Sequence, residues 1–74
     1  MSHVLGAEMV ATVHSVTVQV GDTVRPDTMV VLLESMKMEI PVLAEVDGVV
    51  GEIAVSPGDT IQEGDTIAVI EETP

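Results

Sequence analysis

Apolar and polar side chains alternate with a period of two over much of the chain. Three segments show the pattern most clearly, at residues 13–20, 49–55 and 66–70. In the first of them, Val16, Val18 and Val20 would share one face of an extended strand. The segments are short and rich in β-branched residues, and no stretch keeps a helical period over three turns. The pattern therefore predicts an all-β domain.

Clusters of turn-forming residues separate the apolar segments. They lie at residues 20–23, 25–27, 47–48, 57–59 and 63–65. Glycine in these clusters supplies positive φ and proline presets a bend. Two further strand-like runs, 29–33 and 40–43, lie on either side of the midpoint. Residues 35–38 between them are expected to form a tight hairpin, although they lack the Asn-Gly or Asp-Gly pair that is typical of two-residue turns.

The chain also contains an internal repeat with an offset of 37 residues. Gly-Asp-Thr-Val at residues 21–24 returns as Gly-Asp-Thr-Ile at residues 58–61, and the run at 29–33 returns at 66–70. Turn residues match as well as apolar ones, which argues against chance similarity between Val-rich strands. Asp27 occupies the position of Gly64, and aspartate tolerates a left-handed backbone conformation. The repeat can therefore accommodate either residue at this turn.

Two half-domains of about four short strands each would be too small to fold separately. Pairing across an approximate two-fold axis would give a flattened β-barrel or sandwich of two four-stranded antiparallel sheets around one aliphatic core. The offset of 37 places Lys37 in the connection between the halves and its equivalents at the chain ends. Lys37 should therefore lie at one tip of the molecule, and residues 1 and 74 at the opposite tip.

The composition argues against several classes of function. Seventy-four residues make one domain, and a chain of this size buries only about 60% of its unfolded surface, which leaves little room for a substrate cleft beside a core. The net charge of −11 repels phosphate backbones, and the chain has no Phe, Tyr or Trp on which bases could stack. Nucleic-acid binding is therefore not expected. With no Cys, the chain has neither disulfides nor a thiol nucleophile.

Membrane and metal sites are not expected either. No apolar segment approaches the roughly 18 residues that span a bilayer, and no signal peptide follows the opening Met-Ser-His. We expect a cytoplasmic monomer that is kept soluble by its acidity. His3 and His14 are the only histidines. We place His3 in a frayed terminus and His14 on a solvent face, so a metal site is not expected.

Lys37 is the only lysine, beside a single arginine and thirteen acidic residues. An exposed lysine is usually no more than a solvated charge. This one, however, lies at the centre of the repeat between Met36 and Met38, and exposed methionines are soft, adaptable contacts for a partner. Because side chains alternate along an extended backbone, both methionines would project on the side opposite Lys37, or they would flank Lys37 obliquely. Apart from the N terminus, the chain offers one amine for amide-forming modification.

The hexapeptide Glu-Ser-Met-Lys-Met-Glu at residues 34–39, with Gly-Asp-Thr upstream and Asp-Gly-Val-Val downstream, closely resembles the biotinyl domains of biotin-dependent carboxylases. Their motif is Ala/Val-Met-Lys-Met, and its central lysine carries biotin. The resemblance covers about residues 7–71 and implies one domain over residues 1–74, with two four-stranded sheets and the modified lysine on an exposed hairpin. It makes Lys37 the site of covalent biotin attachment. It assigns recognition by the ligase and other partners to Glu34, Ser35, Met36, Met38 and Glu39.

This chain departs from the family pattern at a few positions. Ser35 stands where Ala or Val is usual, Glu8 and Glu45 stand where Pro is frequent, and Val10-Ala11 replaces a common Pro-Gly pair. None of these changes affects the lysine or its methionine neighbours. The chain also lacks the "thumb" segment of some carrier subunits and an Ala/Pro-rich linker, so it is similar to the small free-standing attachment proteins of the family.

The resemblance implies a carrier rather than an enzyme, with no catalytic residues of its own. A biotin protein ligase would use ATP to make biotinyl-adenylate, whose carbonyl the Lys37 amine attacks. The attached biotin would then carry carboxyl groups, as carboxybiotin, between a biotin carboxylase and a carboxyltransferase that acts on an acyl-CoA or a keto acid. Carriage on a protein makes the transfer nearly intramolecular.

Three alternatives stay open. Lipoyl domains share the fold but have Asp-Lys-Ala in place of Met-Lys-Met, which favours biotin here. An orphan protein, biotinylated but serving as a biotin store or a non-catalytic partner, fits the same residues. A purely structural β domain would tolerate the loss of Lys37.

Overall fold

The computed structural model describes residues 1–73, in which eight β-strands occur. They are β1 (Ser2–Gly6), β2 (Ala11–Val16), β3 (Thr23–Val24), β4 (Met29–Ser35), β5 (Met38–Leu43), β6 (Gly48–Ile53), β7 (Thr60–Ile61) and β8 (Thr66–Glu72). One sheet has the order β1-β8-β6-β3 and the other β5-β4-β2-β7, with every pair antiparallel. The prediction of two four-stranded antiparallel sheets is confirmed. Because each sheet keeps two edge strands, the fold is a flattened sandwich rather than a closed barrel.

The internal repeat extends to strand boundaries and irregularities. Strands β2, β3 and β4 return 37 residues later as β6, β7 and β8, with the same lengths. The β2–β4 ladder shifts register between Val13 and Ser15, and the β6–β8 ladder shifts at the equivalent place, between Val50 and Glu52. In the equivalent turns at residues 21–23 and 58–60 the aspartate, Asp22 or Asp59, accepts a hydrogen bond of 2.9 Å from the backbone N–H three residues earlier. The two halves therefore share one backbone design.

The core between the sheets is aliphatic. Its 15 buried hydrophobic residues are all Leu, Ala, Val or Ile, and no polar side chain is buried in the described part of the chain. Strands β4 and β8 each bury two consecutive residues, Val30-Val31 and Ile67-Ala68, where strict alternation would bury one. Register shifts against the edge strands fall at these places. Because a bulge of this kind re-aims one side chain, it adds a second residue to the core.

The strand expected over residues 13–20 is shorter than predicted. Strand β2 ends at Val16, and Val20 is 62% exposed, so the expectation that Val20 shares one face of this strand with Val16 and Val18 is wrong. The Gln19 carbonyl accepts from the Asp22 N–H, and the Gly21 N–H donates to Val50. The backbone therefore leaves the ladder early, because the turn uses the groups that a longer strand would need. Strand β1, by contrast, is one that the alternation did not predict.

Asp27 does not share the backbone conformation of its repeat partner Gly64. Gly64 has a φ of 93°, but Asp27 is not among the described non-glycine residues with positive φ. Both turns are closed by a side-chain oxygen that accepts a hydrogen bond from the backbone N–H three residues earlier, Thr28 at 2.9 Å and Asp65 at 2.8 Å. Since either sign of φ allows this closure, Asp27 fills the place of Gly64 without a left-handed backbone.

The first residues lie far from the connection between β4 and β5. The Glu72 N–H donates to the Met1 carbonyl, so the start of β1 lies beside the end of β8. His3 Nε2 is 2.9 Å from Glu45 Oε1, beyond the far end of β5. Because a six-residue strand spans about 20 Å, residues 1–3 lie at the opposite end of the molecule from the turn that precedes β5. The position expected for Pro74 lies outside the described residues.

His3 belongs to β1 and is half-buried, so its placement in a frayed terminus is wrong. Its ring nitrogen faces the Glu45 carboxylate, and this pair joins the edge strand of one sheet to the segment that follows the edge strand of the other. Across residues 1–73 the structure contains no helix that is long and apolar enough to span a membrane.

Gly48 is packed against the backbone of β8, which leads to a stability prediction. A Cβ at this position would collide with the Glu71 carbonyl oxygen and lie 2.9 Å from Ile70 Cγ2. Gly48→Ala should therefore lower the free energy of unfolding by about 2 kcal/mol and the melting temperature by about 10 °C, as overpacking does. Thermal unfolding followed by circular dichroism measures this.

Gly51→Ala is the matched control. A Cβ at Gly51 would meet only the Glu71 side chain, at 2.9 Å from its Cγ, and an exposed side chain can move aside. The loss should therefore be less than half of that in Gly48→Ala. Equal losses in the two variants would contradict the close backbone packing at Gly48.

Candidate functional site

The candidate site is the hairpin that joins the two halves of the molecule. Strands β4 and β5 pair from Met29 opposite Leu43 up to Ser35 opposite Met38. Only Met36 and Lys37 lie between the paired ends, which confirms the tight hairpin expected over residues 35–38. Their φ angles are 52° and 66°. Two successive residues with positive φ are typical of a type I′ turn, whose twist matches that of the flanking strands.

The turn uses residues that do not favour its conformation. Type I′ turns prefer Asn-Gly or Asp-Gly, because positive φ brings the Cβ atom of other residues close to the backbone. The energetic cost of a left-handed residue is about 1 kcal/mol or more. Strained residues of this kind cluster at functional sites, so the positive φ angles of Met36 and Lys37 mark this turn as a candidate functional site. The alternation expected for Met36 and Lys37 does not apply, because neither is extended.

The two turn residues and the residue that follows them, Met38, are all exposed. Met36 is 92% exposed and Met38 is 64% exposed, and Lys37 between them is exposed too. The hairpin is held to the core two residue pairs lower, where Leu33 is buried opposite Ile40. The side chains of Met36, Lys37 and Met38 therefore project into solvent from a pair of strands that is anchored to the core.

The acidic residues of the motif face each other across the hairpin. Glu34 pairs with Glu39, and both side chains are exposed. Like charges opposite one another in a sheet are destabilising, so this pair adds negative potential next to Lys37 without stabilising the hairpin. No salt bridge or side-chain hydrogen bond to Lys37 occurs within residues 1–73. The Lys37 amine is accordingly free to form a bond.

Ser35, the last residue of β4, is half-buried and pairs with Met38 through the backbone. The structure thus brings all six residues of the motif together on one hairpin. Sequence reasoning did not foresee the positive φ values at Met36 and Lys37. The two-residue spacing between the strands was the available signal, since loops of that length are mostly type I′ or II′.

Lys37 does not lie in a cleft. A groove of about 540 Å³ runs between edge strands β1 and β5, with Val4 and Leu43 among its walls, but Lys37 does not line it. Within the described residues, no three His, Asp or Glu side chains are arranged to hold a metal ion. A tethering point for another group is what this geometry offers.

Asparagine substitutions at Met36 and Met38 should have opposite effects on stability, because Met36 is strained in the turn whereas Met38 lies in a strand. Met36→Asn should raise the free energy of unfolding by about 0.5–1 kcal/mol, because Asn tolerates positive φ. Met38→Asn should lower it by a similar amount, because Asn is unfavourable in strands. Urea unfolding of both variants measures the two signs. A loss of stability in Met36→Asn would contradict the strained turn.

Comparison with known proteins identifies the family. Residues 3–70 match the family model described as biotin-requiring enzyme. The biotinylated protein TB7.3 homolog of Mycobacterium leprae is 56% identical over 70 residues, which cover 95% of this chain and 99% of that protein.

Two solved structures share the fold. The crystal structure of Kluyveromyces lactis urea carboxylase aligns with a TM-score of 0.90 at 32% identity, over 96% of this chain and 6% of that one. The lipoyl domain of the 2-oxoglutarate dehydrogenase complex of Azotobacter vinelandii aligns with a TM-score of 0.78 at 28% identity, over 95% of this chain and 99% of that one. With the match over residues 3–70, the chain belongs to the family of biotin-requiring enzymes, and within it is a carrier domain for biotin.

Proposed function

We propose that Lys37 is the residue to which biotin is attached, and that the loaded domain serves a biotin-dependent carboxylase. One observation carries the proposal: the only lysine of the chain occupies an exposed two-residue turn with its amine unpaired among the described residues. A biotinyl group fits at this point without any rearrangement, because the turn borders solvent and no described side chain has to leave the amine. Attachment elsewhere would have to use the N-terminal amine.

Attachment needs a ligase. The attacking nitrogen needs a free electron pair, so any proton that occupies it must be removed in the reaction. No described side chain forms a salt bridge or hydrogen bond with Lys37 through which it could accept that proton, so a biotin protein ligase supplies the base and the activated biotin carboxyl group. The Nζ–carbonyl bond forms as the bond to the activating group breaks, and the proton leaves with the ligase's base.

The hairpin supplies presentation. When attached, biotin accepts a carboxyl group at one active site and releases it at another. The paired strands of β4 and β5 fix where the Lys37 arm begins, which reduces the entropy lost when the arm enters either site. Met36 and Met38 offer soft apolar contacts on both sides of the arm. Glu34 and Glu39 give the tip a negative charge that suits basic enzyme surfaces.

The partners proposed are the biotin protein ligase, a biotin carboxylase and a carboxyltransferase. The urea carboxylase structure, which contains this fold within a much longer chain, supports the carboxylase assignment. Net charge makes self-association unfavourable, so we propose a monomer, located in the cytoplasm where ATP-dependent ligation takes place.

A loading-and-transfer assay tests this function. The purified chain is incubated with a biotin protein ligase, biotin and ATP, then with a biotin carboxylase, ATP and labelled bicarbonate. The labelled carboxyl group should become bound to the protein through an acid-labile bond, and this should occur only in chains that had been biotinylated. Loaded chains that take up no label with several biotin carboxylases would overturn the carboxylase role but leave biotin attachment intact.

The orphan alternative has one observation in its favour. The Mycobacterium leprae relative has nearly the same length as this chain and is named for its biotinylation alone. Co-purification from cells separates the two functions: carboxylase subunits should accompany the loaded domain if it is a carrier in catalysis. For the lipoyl alternative, intact mass after growth with both ligases gives the answer, and the methionines beside Lys37 favour biotin.

A further inference from the structure

The five methionines of this chain lie outside its core. Every fully or largely buried hydrophobic residue is Leu, Ala, Val or Ile, whereas Met1, Met9, Met36 and Met38 are exposed and Met29 is half-buried. Methionine normally fills irregular gaps in cores. Here its thioether is instead placed in solvent, and two of the most exposed examples border Lys37 directly.

Exposed thioethers are open to two-electron oxidation. Hydrogen peroxide transfers one oxygen to the sulfur and leaves as water, so the thioether becomes a sulfoxide while the peroxide is reduced. The product is polar and chiral, and reductases that act on methionine sulfoxide reverse it. Because the chain has no cysteine, no thiol competes for the oxidant.

We propose that Met36 and Met38 form a reversible oxidation switch that blocks biotin loading of Lys37. The inference rests on the proposed role of Lys37 as the attachment site. Oxidation changes both soft apolar contacts beside the amine into polar groups that a ligase pocket shaped for thioethers would have to desolvate. The switch acts before loading, so peroxide stress leaves the chain in its unloaded form until a reductase restores it.

The fold should survive this oxidation. The side chains of Met36 and Met38 are exposed, and the pairing of Ser35 with Met38 uses backbone groups. No core residue carries a sulfur atom. Loss of loading would therefore come from a local change beside Lys37 rather than from unfolding, which distinguishes a switch from oxidative damage.

The experiment uses the unloaded chain, since biotin carries a thioether of its own. The chain is treated with graded hydrogen peroxide, catalase removes the excess, and peptide mass spectrometry gives the sulfoxide fraction at each methionine. Biotin uptake with ligase, biotin and ATP is then timed, and circular dichroism monitors the fold. Sulfoxide should accumulate at Met36 and Met38 before Met9 and Met29, and uptake should slow at least tenfold with an unchanged spectrum. Treatment with sulfoxide reductases should restore the rate.

Two double variants provide matched controls. Met9→Leu with Met29→Leu should remain as peroxide-sensitive as the parent, whereas Met36→Leu with Met38→Leu should lose the sensitivity, each being compared with its own untreated rate. Unchanged uptake by parent chains oxidised at residues 36 and 38 would overturn the inference alone. An untreated parent that takes up no biotin would instead overturn the proposed function. Slower uptake accompanied by unfolding would also contradict the switch.

Discussion

Lys37→Arg is expected to abolish biotin attachment, with uptake at least a thousandfold below that of the parent chain. Arginine keeps the positive charge and has a similar length. Its guanidinium, however, stays protonated and does not act as a nucleophile in the ligase reaction. The substitution therefore removes the reacting nitrogen without altering the charge of the hairpin. Streptavidin blotting and intact mass after incubation with ligase, biotin and ATP give the result.

A matched variant moves the amine without changing the composition. Arg25 is exposed in the turn between β3 and β4, so Lys37→Arg combined with Arg25→Lys leaves one exposed lysine in another turn. We expect this double variant to accept no more biotin than Lys37→Arg alone. Equal loading of the displaced lysine would show that the ligase does not depend on the β4–β5 hairpin.

Ile67→Ala is expected to have the largest effect on stability. Ile67 is fully buried in β8, and removing a buried isoleucine to the β-carbon costs about 2–5 kcal/mol because it leaves a cavity. The whole domain is expected to be stable by only about 4–11 kcal/mol at its size. The variant should therefore unfold at much lower urea concentration, and its biotin uptake should fall as the unfolded fraction rises.

Val20→Ala serves as the surface control. Val20 is mostly exposed, and substitutions at such positions usually change stability by less than about 0.5 kcal/mol. Urea unfolding of both variants, followed by circular dichroism, measures the difference. Similar midpoints for Ile67→Ala and Val20→Ala would mean that the core described around β4 and β8 does not carry the stability of the fold.

The fold was predictable because two local signals agreed with a long-range one. Period-two alternation and turn residues identified strands, and the 37-residue repeat fixed how they combine, since equivalent segments must fill equivalent places. Bulges were not predictable in the same way. The extra core positions at Val30 and Ile67 arise from register shifts against edge strands, and such shifts depend on tertiary pairing rather than on the local residue types.

The structure differs from the sequence-based predictions at two turns and one strand. Val18 and Val20 have strong strand propensity, yet the strand ends before them because residues 19–22 form the turn that Asp22 closes. Asp27 and Gly64 occupy equivalent positions, yet one turn can be closed with either sign of φ. Strand β1 was missed because its own alternation is weak, although the repeat aligns residues 2–6 with 39–43 and could have identified it.

For the site, the position of Lys37 could be predicted and its conformation could not. The midpoint of a duplicated chain must be a connection, and two flanking strands make it a hairpin. Positive φ at Met36 and Lys37 contradicts their intrinsic preferences, so propensity alone would not have found it. The chemistry assigned to the lysine came from the resemblance of the motif, because an exposed amine by itself has no specific function.

Peptide mapping of the loaded chain tests the central claim most directly. The parent chain is incubated with ligase, biotin and ATP, digested, and sequenced by tandem mass spectrometry so that each amine is scored separately. One biotinyl group per chain, on Lys37 and not on the amine of Met1, is the predicted result. A biotinyl group on Met1, or a folded chain that stays unmodified beside a ligase active on another acceptor, would contradict it.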